Sequence, residues 1–287
     1  MSNDEYKVID SGNFQKLEKV GPYTIVRPSL GAIWQPKQPQ KAWDSAHAVF
    51  KRKNDGTGKW QVTKRIPDSW PIQIGNLRFN MKMTDFGHLG IFPEQYDYWA
   101  WIEQRISAKI SKQRDYSVLN LFAYTGGSTM AAAKGGAQVV HLDASKTSVA
   151  WAKENADLCG IGDKPIRWIV DDVKKFIARE VRRKAQYDAI ILDPPSYGRG
   201  KKGEIWKIED DLPELLTNLK MILKRSFDFL MLSAHTPGYT PIALQNLVAD
   251  FFGKECRYEA REMTIEEVET GRELPHGAGI VVERLTP

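Results

Sequence analysis

The sequence predicts an α/β protein in which a parallel sheet flanked by helices follows a small β-rich N-terminal module. Three observations predict it. From Val118 onward, segments composed like strands alternate four times with segments at helical spacing, the order that builds right-handed crossovers and a parallel sheet covered on both faces. Before Pro93 the chain instead holds short extended runs set among Gly, Pro and Asn turns. Finally, four successive strand ends carry residues of ligand-binding type, and open α/β sheets bind ligands at the carboxyl ends of their strands.

Composition limits the alternatives. With 287 residues, 42% hydrophobic and 27% charged, the chain has room for one large core or two unequal ones. No apolar run approaches the roughly 18 residues a membrane span needs, and MSNDEYKVID lacks the charged-then-apolar layout of a signal peptide. Two cysteines, Cys159 and Cys256, make no disulfide framework, so a reducing cytoplasm is expected. Residues 1–110 hold 16 Lys/Arg against 11 Asp/Glu, and residues 111–287 hold 25 of each, so the formal charge of +5 lies in the first part. There Lys51-Arg52-Lys53, Lys59 and Lys64-Arg65 are interleaved with Trp34, Trp43, Trp60 and Trp70. That mixture suits phosphate contact with base stacking, and it equally suits a solvated face over a tryptophan-containing core.

The elements follow in order. GPYTIVRPS (21–29), KWQVTKRI (59–66) and IGNLRFNMKMT (74–84) read as the strands of a basic module over residues 1–93. A second domain is expected over 94–287. It opens on EQYDYWAWIEQRISAKI, where Tyr98, Ile102, Ile106 and Ile110 recur at helical spacing behind Pro93. Strands are then expected at 118–122, 137–143, 166–172 and 187–193, with helices at about 127–134, 145–160, 173–184 and 211–223.

The first strand runs VLNLFAYTGGST into the pair Gly126-Gly127. Glycine there permits a sharp turn and close approach of a ligand to the N–H groups of a helix start. The second strand ends in Asp143, 17 residues past Gly126, near the roughly 20 expected of a carboxylate that binds ribose hydroxyls. The same aspartate could simply cap the helix beginning near Ser145. The third strand ends in Asp171-Asp172 and the fourth in DPPSY, Asp193 to Tyr197. Two prolines fix an extended path and remove two N–H donors, so the carbonyls there can face a cleft.

Together, VLNLFAYTGGST, VVHLDAS, WIVDDV and IILDPPSYGRGKKGEIW, with FGHLGIFPEQ upstream (86–95), resemble the class I S-adenosylmethionine-dependent methyltransferases, in particular the RlmI-like enzymes of bacterial 23S ribosomal RNA large-subunit type. The resemblance covers roughly residues 74–235. It implies a Rossmann-like class I methyltransferase sheet and S-adenosyl-L-methionine as cofactor. On matching positions, Phe122, Tyr124, Thr125, Gly126 and Gly127 would pass beneath the methionine moiety, Asp143 would hold the ribose, Asp172 would face the adenine amino group, and Ser145 and Asp193 would also line the cofactor site. Gln95 would reach the amino-acid end, and Asp171 would be structural. Two positions depart from the pattern: Asn120 stands where many members have an acid, and Thr125 where they have a glycine.

In enzymes that methylate exocyclic amines of bases, Asp/Asn-Pro-Pro-aromatic holds the NH2 and stacks on the base. The resemblance therefore implies that Asp193, Pro194, Pro195 and Tyr197 form the acceptor site, although Ser196 separates Tyr197 from the prolines. The 5-methylcytosine members of the group carry a cysteine after the next strand. Here the corresponding run is FLMLSAHTPG (229–238) with no thiol, which argues against that product. Direct displacement at a base nitrogen of RNA, with rRNA as the expected partner, is left, and no metal is required. His235 is the nearby candidate for taking a proton, and GRGKKG (198–203) and ELPHG (273–277) are expected as substrate-side loops. A protein or small-molecule acceptor is the alternative; a noncatalytic RNA-binding protein of the same fold is another.

Overall fold

The computed structural model describes residues 5–53, 57–111, 115–200 and 203–285. Its chain forms two compact units, residues 1–96 with 264–276, and residues 97–263 with 277–287. Segment 264–276 thus packs with the N-terminal unit from far along the sequence, and its composition changes the charge balance. Counted by unit, the first carries 15 Lys/Arg against 13 Asp/Glu and the second 26 against 23. The concentration of positive charge seen along the sequence largely disappears.

In the first unit, β1 (Tyr6–Gly12), β2 (Gln15–Val20), β3 (Tyr23–Pro28), β4 (Ala48–Arg52) and β5 (Gly58–Val62) form one sheet in sequential order, with a short helix α1 (Gln40–Asp44) before β4. All neighbours are antiparallel except β3 and β4. The run expected as one strand over 74–84 is instead split: β6 (Trp70–Ile74) and β7 (Leu77–Met81) pair as a hairpin. The chain reverses at Gly75, whose φ of 56° favours glycine. The core includes an ion pair between Glu18 and Arg27, whose Nη2 lies 2.9 Å from Glu18 Oε2. Burial alone would raise the Glu18 carboxyl, but Arg27 and Lys16 hold it down at about 2, so removing Arg27 would leave the buried carboxylate with only Lys16 at 3.5 Å, a costly loss.

The second unit follows a 3-10 turn (Pro93–Gln95) and helix α2 (Tyr96–Ile110), which buries Tyr98, Trp99, Ile102 and Ile106. Its strands are β8 (Ser117–Leu121), β9 (Gln138–Asp143), β10 (Ile166–Val170) and β11 (Ala189–Leu192), joined by α3 (Gly127–Lys134), α4 (Lys146–Leu158) and α5 (Val173–Arg182). A small hairpin follows, β12 (Tyr197–Arg199) with β13 (Ile205–Lys207), then α6 (Ile208–Ile222), β14 (Phe229–Ala234), α7 (Pro241–Phe252), β15 (Cys256–Glu266) and β16 (Glu273–Arg284). The large sheet has the order β10-β9-β8-β11-β14-β16-β15. Its first five strands are parallel, and β16 runs antiparallel to β14. All four residues of β11 are buried, as expected of a strand covered on both faces.

Two expectations change here. Residues 273–277, expected as a loop, begin strand β16. Helix α6 starts at Ile208, three residues before its expected start, and carries Pro213 inside it. Its first turn holds Glu209, Asp210 and Asp211, which favours a helix N-terminus, and Asp211 Oδ2 accepts the Lys207 N–H at 2.8 Å. Among the described residues no helix is long and apolar enough to cross a membrane.

Candidate active site

Topology selects one place on the large sheet. From β8 the chain moves outward to β9 and β10, then returns to lay β11 on the other side of β8. The connections leave the adjoining carboxyl ends of β8 and β11 in opposite directions, which opens the crevice where such sheets bind ligands. Leu121 and Leu192 are register partners at those ends, so Phe122 and Asp193 begin the two flanking loops.

The β8 loop is a sequence of left-handed residues in alternation: Phe122 at φ 53°, Tyr124 at 46° and Gly126 at 90°. Such values are uncommon for bulky residues and concentrate at functional sites. They are held by the Ala123 N–H donating to the Leu142 carbonyl at 3.0 Å and the Gly126 N–H to the Ala123 carbonyl at 3.0 Å. The two glycines have different reasons. Gly126 supplies the positive φ that starts α3. Gly127 is required by protein packing: a Cβ there would lie 2.6 Å from the Trp99 ring.

Asp143, at the end of β9, ties this loop down. Its Oδ2 accepts the Tyr124 N–H at 2.9 Å and its Oδ1 the Ser145 N–H at 2.8 Å. The N-cap of α4 is Ser145, whose hydroxyl accepts the Ser148 N–H, so Asp143 is not the cap. Burial raises the Asp143 carboxyl above its ordinary range, and the two N–H donors oppose that shift. Thr125 is buried, and its carbonyl accepts from Asn155 Nδ2 at 2.9 Å. Asp172 caps α5 by accepting the Lys175 N–H at 3.0 Å, and Asp171 pairs with Arg179. Gln95 ends the 3-10 turn in the first unit, its N–H bonded to the Phe92 carbonyl.

Beneath the loop lies a chain of polar groups of which the sequence marked only Asn120. Asn120 Nδ2 donates to Thr129 Oγ1 at 2.8 Å, and Thr129 Oγ1 lies 2.9 Å from His141 Nδ1. Burial pushes the His141 imidazole down to about 3, so the ring is neutral. The Thr129 oxygen accepts from the Asn120 amide and shares a hydrogen bond with the neutral His141 ring. Asn120, Thr129 and His141 thus form an uncharged buried support.

The β11 loop brings together Asp193, Pro194 and Pro195. Asp193 Oδ1 accepts from the buried Ser233 hydroxyl at 2.7 Å and lies 3.5 Å from His235 Nε2. The Pro195 carbonyl is already engaged by the protein, since Trp206 Nε1 donates to it at 2.7 Å. Tyr197 is 49% exposed in β12, with Arg199 Nε donating to its hydroxyl at 2.7 Å and the guanidinium 5.9 Å from its ring centre. Of the run 198–203 expected as a basic loop, Gly198 and Arg199 lie in β12, and Lys201 and Lys202 lie outside the described residues. Neither cysteine joins the site: Cys159 is the C-cap of α4, and Cys256 is buried at the start of β15 with its thiol pushed up by burial.

Comparison with known proteins agrees with this fold. The family model described as "S-adenosylmethionine-dependent methyltransferase" matches residues 37–275. A solved S-adenosylmethionine-dependent methyltransferase from Agrobacterium tumefaciens is 36% identical, with a TM-score of 0.92, over 99% of this chain and 92% of that one. The enzyme named "Ribosomal RNA large subunit methyltransferase K/L" from Vibrio cholerae is 31% identical over 225 residues, 72% of this chain and 30% of its own length. Its namesake from Syntrophotalea carbinolica is 32% identical over 174 residues, 59% of this chain and 23% of its own length. The chain thus spans under a third of the length of these curated relatives. The family match over most of the sequence and the near full-length likeness to a solved member show that the chain belongs to the S-adenosylmethionine-dependent methyltransferase family.

Proposed function

We propose that the chain transfers the methyl group of S-adenosyl-L-methionine to a base nitrogen of RNA, with ribosomal RNA as the substrate class. The observation that carries the chemistry is Asp193 fixed by Ser233 beside Pro194, whose carbonyl has no hydrogen bond among the described residues. A carboxylate and a free carbonyl on adjacent residues can hold the two hydrogens of an amine and turn its lone pair toward a methyl donor. The bound cofactor supplies an electrophilic methyl on a positively charged sulfur. The remaining work falls to the chain: hold, orient and exclude water. Asp143 fits the ribose, since a carboxylate offers about four lone-pair sites and two are engaged by backbone N–H groups. His235, exposed and 3.5 Å from Asp193, is placed to pass the amine's proton to solvent. The run from β14 onward, residues 229–238, holds no thiol, which supports nitrogen over carbon as acceptor.

The relatives named as ribosomal RNA enzymes support an RNA substrate. So does the β4–β5 hairpin, where Lys51 and Lys59 face each other across the strands. Like charges opposed in this way are unfavourable unless an anion joins them. Lys51, Arg52, Lys53 and Lys59 are exposed and have no carboxylate partner among the described residues. Of the tryptophans between them, two are withdrawn from any stacking role and two, Trp34 and Trp60, are half-buried. Trp43 and Trp70 are buried, and the indole N–H groups of Trp34, Trp43, Trp60 and Trp70 all bond within the unit. A protein or small-molecule acceptor is the second reading, favoured by the nearly even charge of the units.

Mass mapping of modified nucleosides in RNA from a strain lacking the gene tests the proposal; one methylated base nitrogen should be missing. Filter binding across a salt series should show the Lys51, Arg52, Lys53 triple alanine variant with a slope reduced by about 0.7–0.9 per lost phosphate contact. An unchanged nucleoside map together with an unchanged slope would leave the second reading standing.

A further inference from the structure

One side chain touches both loops that flank the switch point, and the mechanism above does not use it. Trp206, 6% exposed in β13, donates its indole N–H to the Pro195 carbonyl at 2.7 Å. Its ring meets the Phe122 ring with centroids 4.9 Å apart at 58°, and Phe122 is the left-handed residue that opens the β8 loop. The hairpin carrying Trp206 is itself held. Gly198 pairs with Trp206 across β12 and β13, Glu204 pairs with Lys175 of α5, and the Lys207 N–H is bonded to Asp211 of α6. Pro194 and Pro195 have no N–H with which to anchor themselves. The indole bond is therefore the one hydrogen bond that fixes this pair of residues to the rest of the fold among the described residues, the next being at Ser196.

We propose that Trp206 is a positioning residue that couples the cofactor loop to the acceptor loop: a cofactor seated against residues 122–127 fixes the Phe122 ring, and through Trp206 it fixes Pro195 and the Asp193-Pro194 pair. The inference rests on assigning residues 122–127 and Asp143 to the cofactor. It gives the order of events a physical basis, because the acceptor groups reach their working geometry once the methyl donor is in place. It also explains why the second proline carbonyl is spent on the protein and not on the substrate.

The test needs no acceptor. S-adenosylhomocysteine is titrated by calorimetry into the full chain, and amide exchange of peptides covering 196–207 is measured with and without it. In the wild type the ligand should slow exchange there about tenfold. Trp206→Phe keeps an aromatic ring and loses the N–H; it should bind within about threefold of wild type and lose that ligand-dependent protection. Phe122→Leu, which keeps the indole bond and removes the ring contact, should lose it as well. A purely structural tryptophan would instead speed exchange equally in the free and bound states. The coupling is overturned if either variant binds the ligand and shows wild-type protection. If Asp143→Ala binds S-adenosylhomocysteine as tightly as wild type, the cofactor assignment fails and the coupling fails with it; if Asp143→Ala weakens binding while Trp206→Phe keeps its protection, the coupling alone fails.

Discussion

The indole of Trp99 lies so close to Gly127 that a Cβ added there would sit 2.6 Å from two of its ring carbons. A helix before β8 and the first residue of the helix after it are thereby locked together under the glycine loop. The second glycine of the pair answers to this contact, whereas the first answers to its backbone angle.

The two glycine substitutions should therefore fail for different reasons. Gly127→Ala overpacks the Trp99 contact and should cost about 1–3 kcal/mol. Gly126→Ala forces a left-handed alanine and should cost roughly 1–2 kcal/mol. Adding Trp99→Leu should restore part of the loss in Gly127→Ala and none in Gly126→Ala, a non-additivity that urea denaturation of the singles and doubles measures. Additive losses in both pairs would mean that Trp99 does not set the need for Gly127.

His141 makes stability depend on pH. Its imidazole is pushed down to about 3 by burial, while in the unfolded chain it titrates near 6.5. The unfolded state therefore binds one more proton between those values. Stability is full above about 6.5 and falls as pH drops toward 3, by about 1.4 kcal/mol per unit for this group. Denaturation at pH 7, 6, 5 and 4 should show His141→Gln with a slope one proton smaller than wild type, alongside a lower stability at pH 7. Equal slopes would show that the ring is protonated in the folded state.

Much of this site was legible in the chain, for reasons that differ by residue. Strand ends at Asp143 and Asp193 are marked by hydrophobic runs that stop abruptly, and the sheet order converts those stops into neighbours. The Gly126-Gly127 pair was visible, but its cause was not, because Trp99 is a neighbour only in space. Ser233, Thr129 and His141 carry no local signal; each is an ordinary strand or helix residue until the fold brings a partner 2.7–2.9 Å away. Charge misled for the same reason. The acidic segment 264–276 joins the first unit from the end of the sequence, and no window along the chain could add it to Lys51 and Lys59.

Asp143 should make cofactor affinity depend on pH. Burial raises its carboxyl, so the free protein holds that proton to a higher pH than an ordinary aspartate. If Asp143 holds the ribose as proposed, the hydroxyls donate to its ionised form and binding releases the proton. Affinity for S-adenosylhomocysteine should fall about tenfold per pH unit below the Asp143 pKa and level off above it. Binding enthalpy should then vary with the ionisation enthalpy of the buffer. Asp143→Asn should bind about tenfold to a hundredfold more weakly at neutral pH, the loss expected of hydrogen bonds to a charged group, with no pH dependence between 4 and 7 from this site.

In the proposed acceptor site Ser233 would supply orientation and Asp193 contact, and their variants should separate the two. Asp193→Ala removes the carboxylate that holds the amine. Because that contact acts on alignment in the transition state, the loss should fall on the rate and leave S-adenosylhomocysteine affinity within about threefold. Ser233→Ala leaves the carboxylate in place but removes the 2.7 Å bond that aims it. A bond to a charged group is worth about 1.5–3 kcal/mol, so single-turnover methylation should slow by about tenfold to a hundredfold. Ser233→Thr, which keeps the hydroxyl, should recover most of the rate. The substrate is RNA from a strain lacking the gene, with tritiated S-adenosylmethionine as donor. Loss of rate in Ser233→Ala together with Ser233→Thr would point to packing and not to the hydrogen bond. Wild-type rates in Asp193→Ala would remove residues 193–195 from the acceptor site altogether.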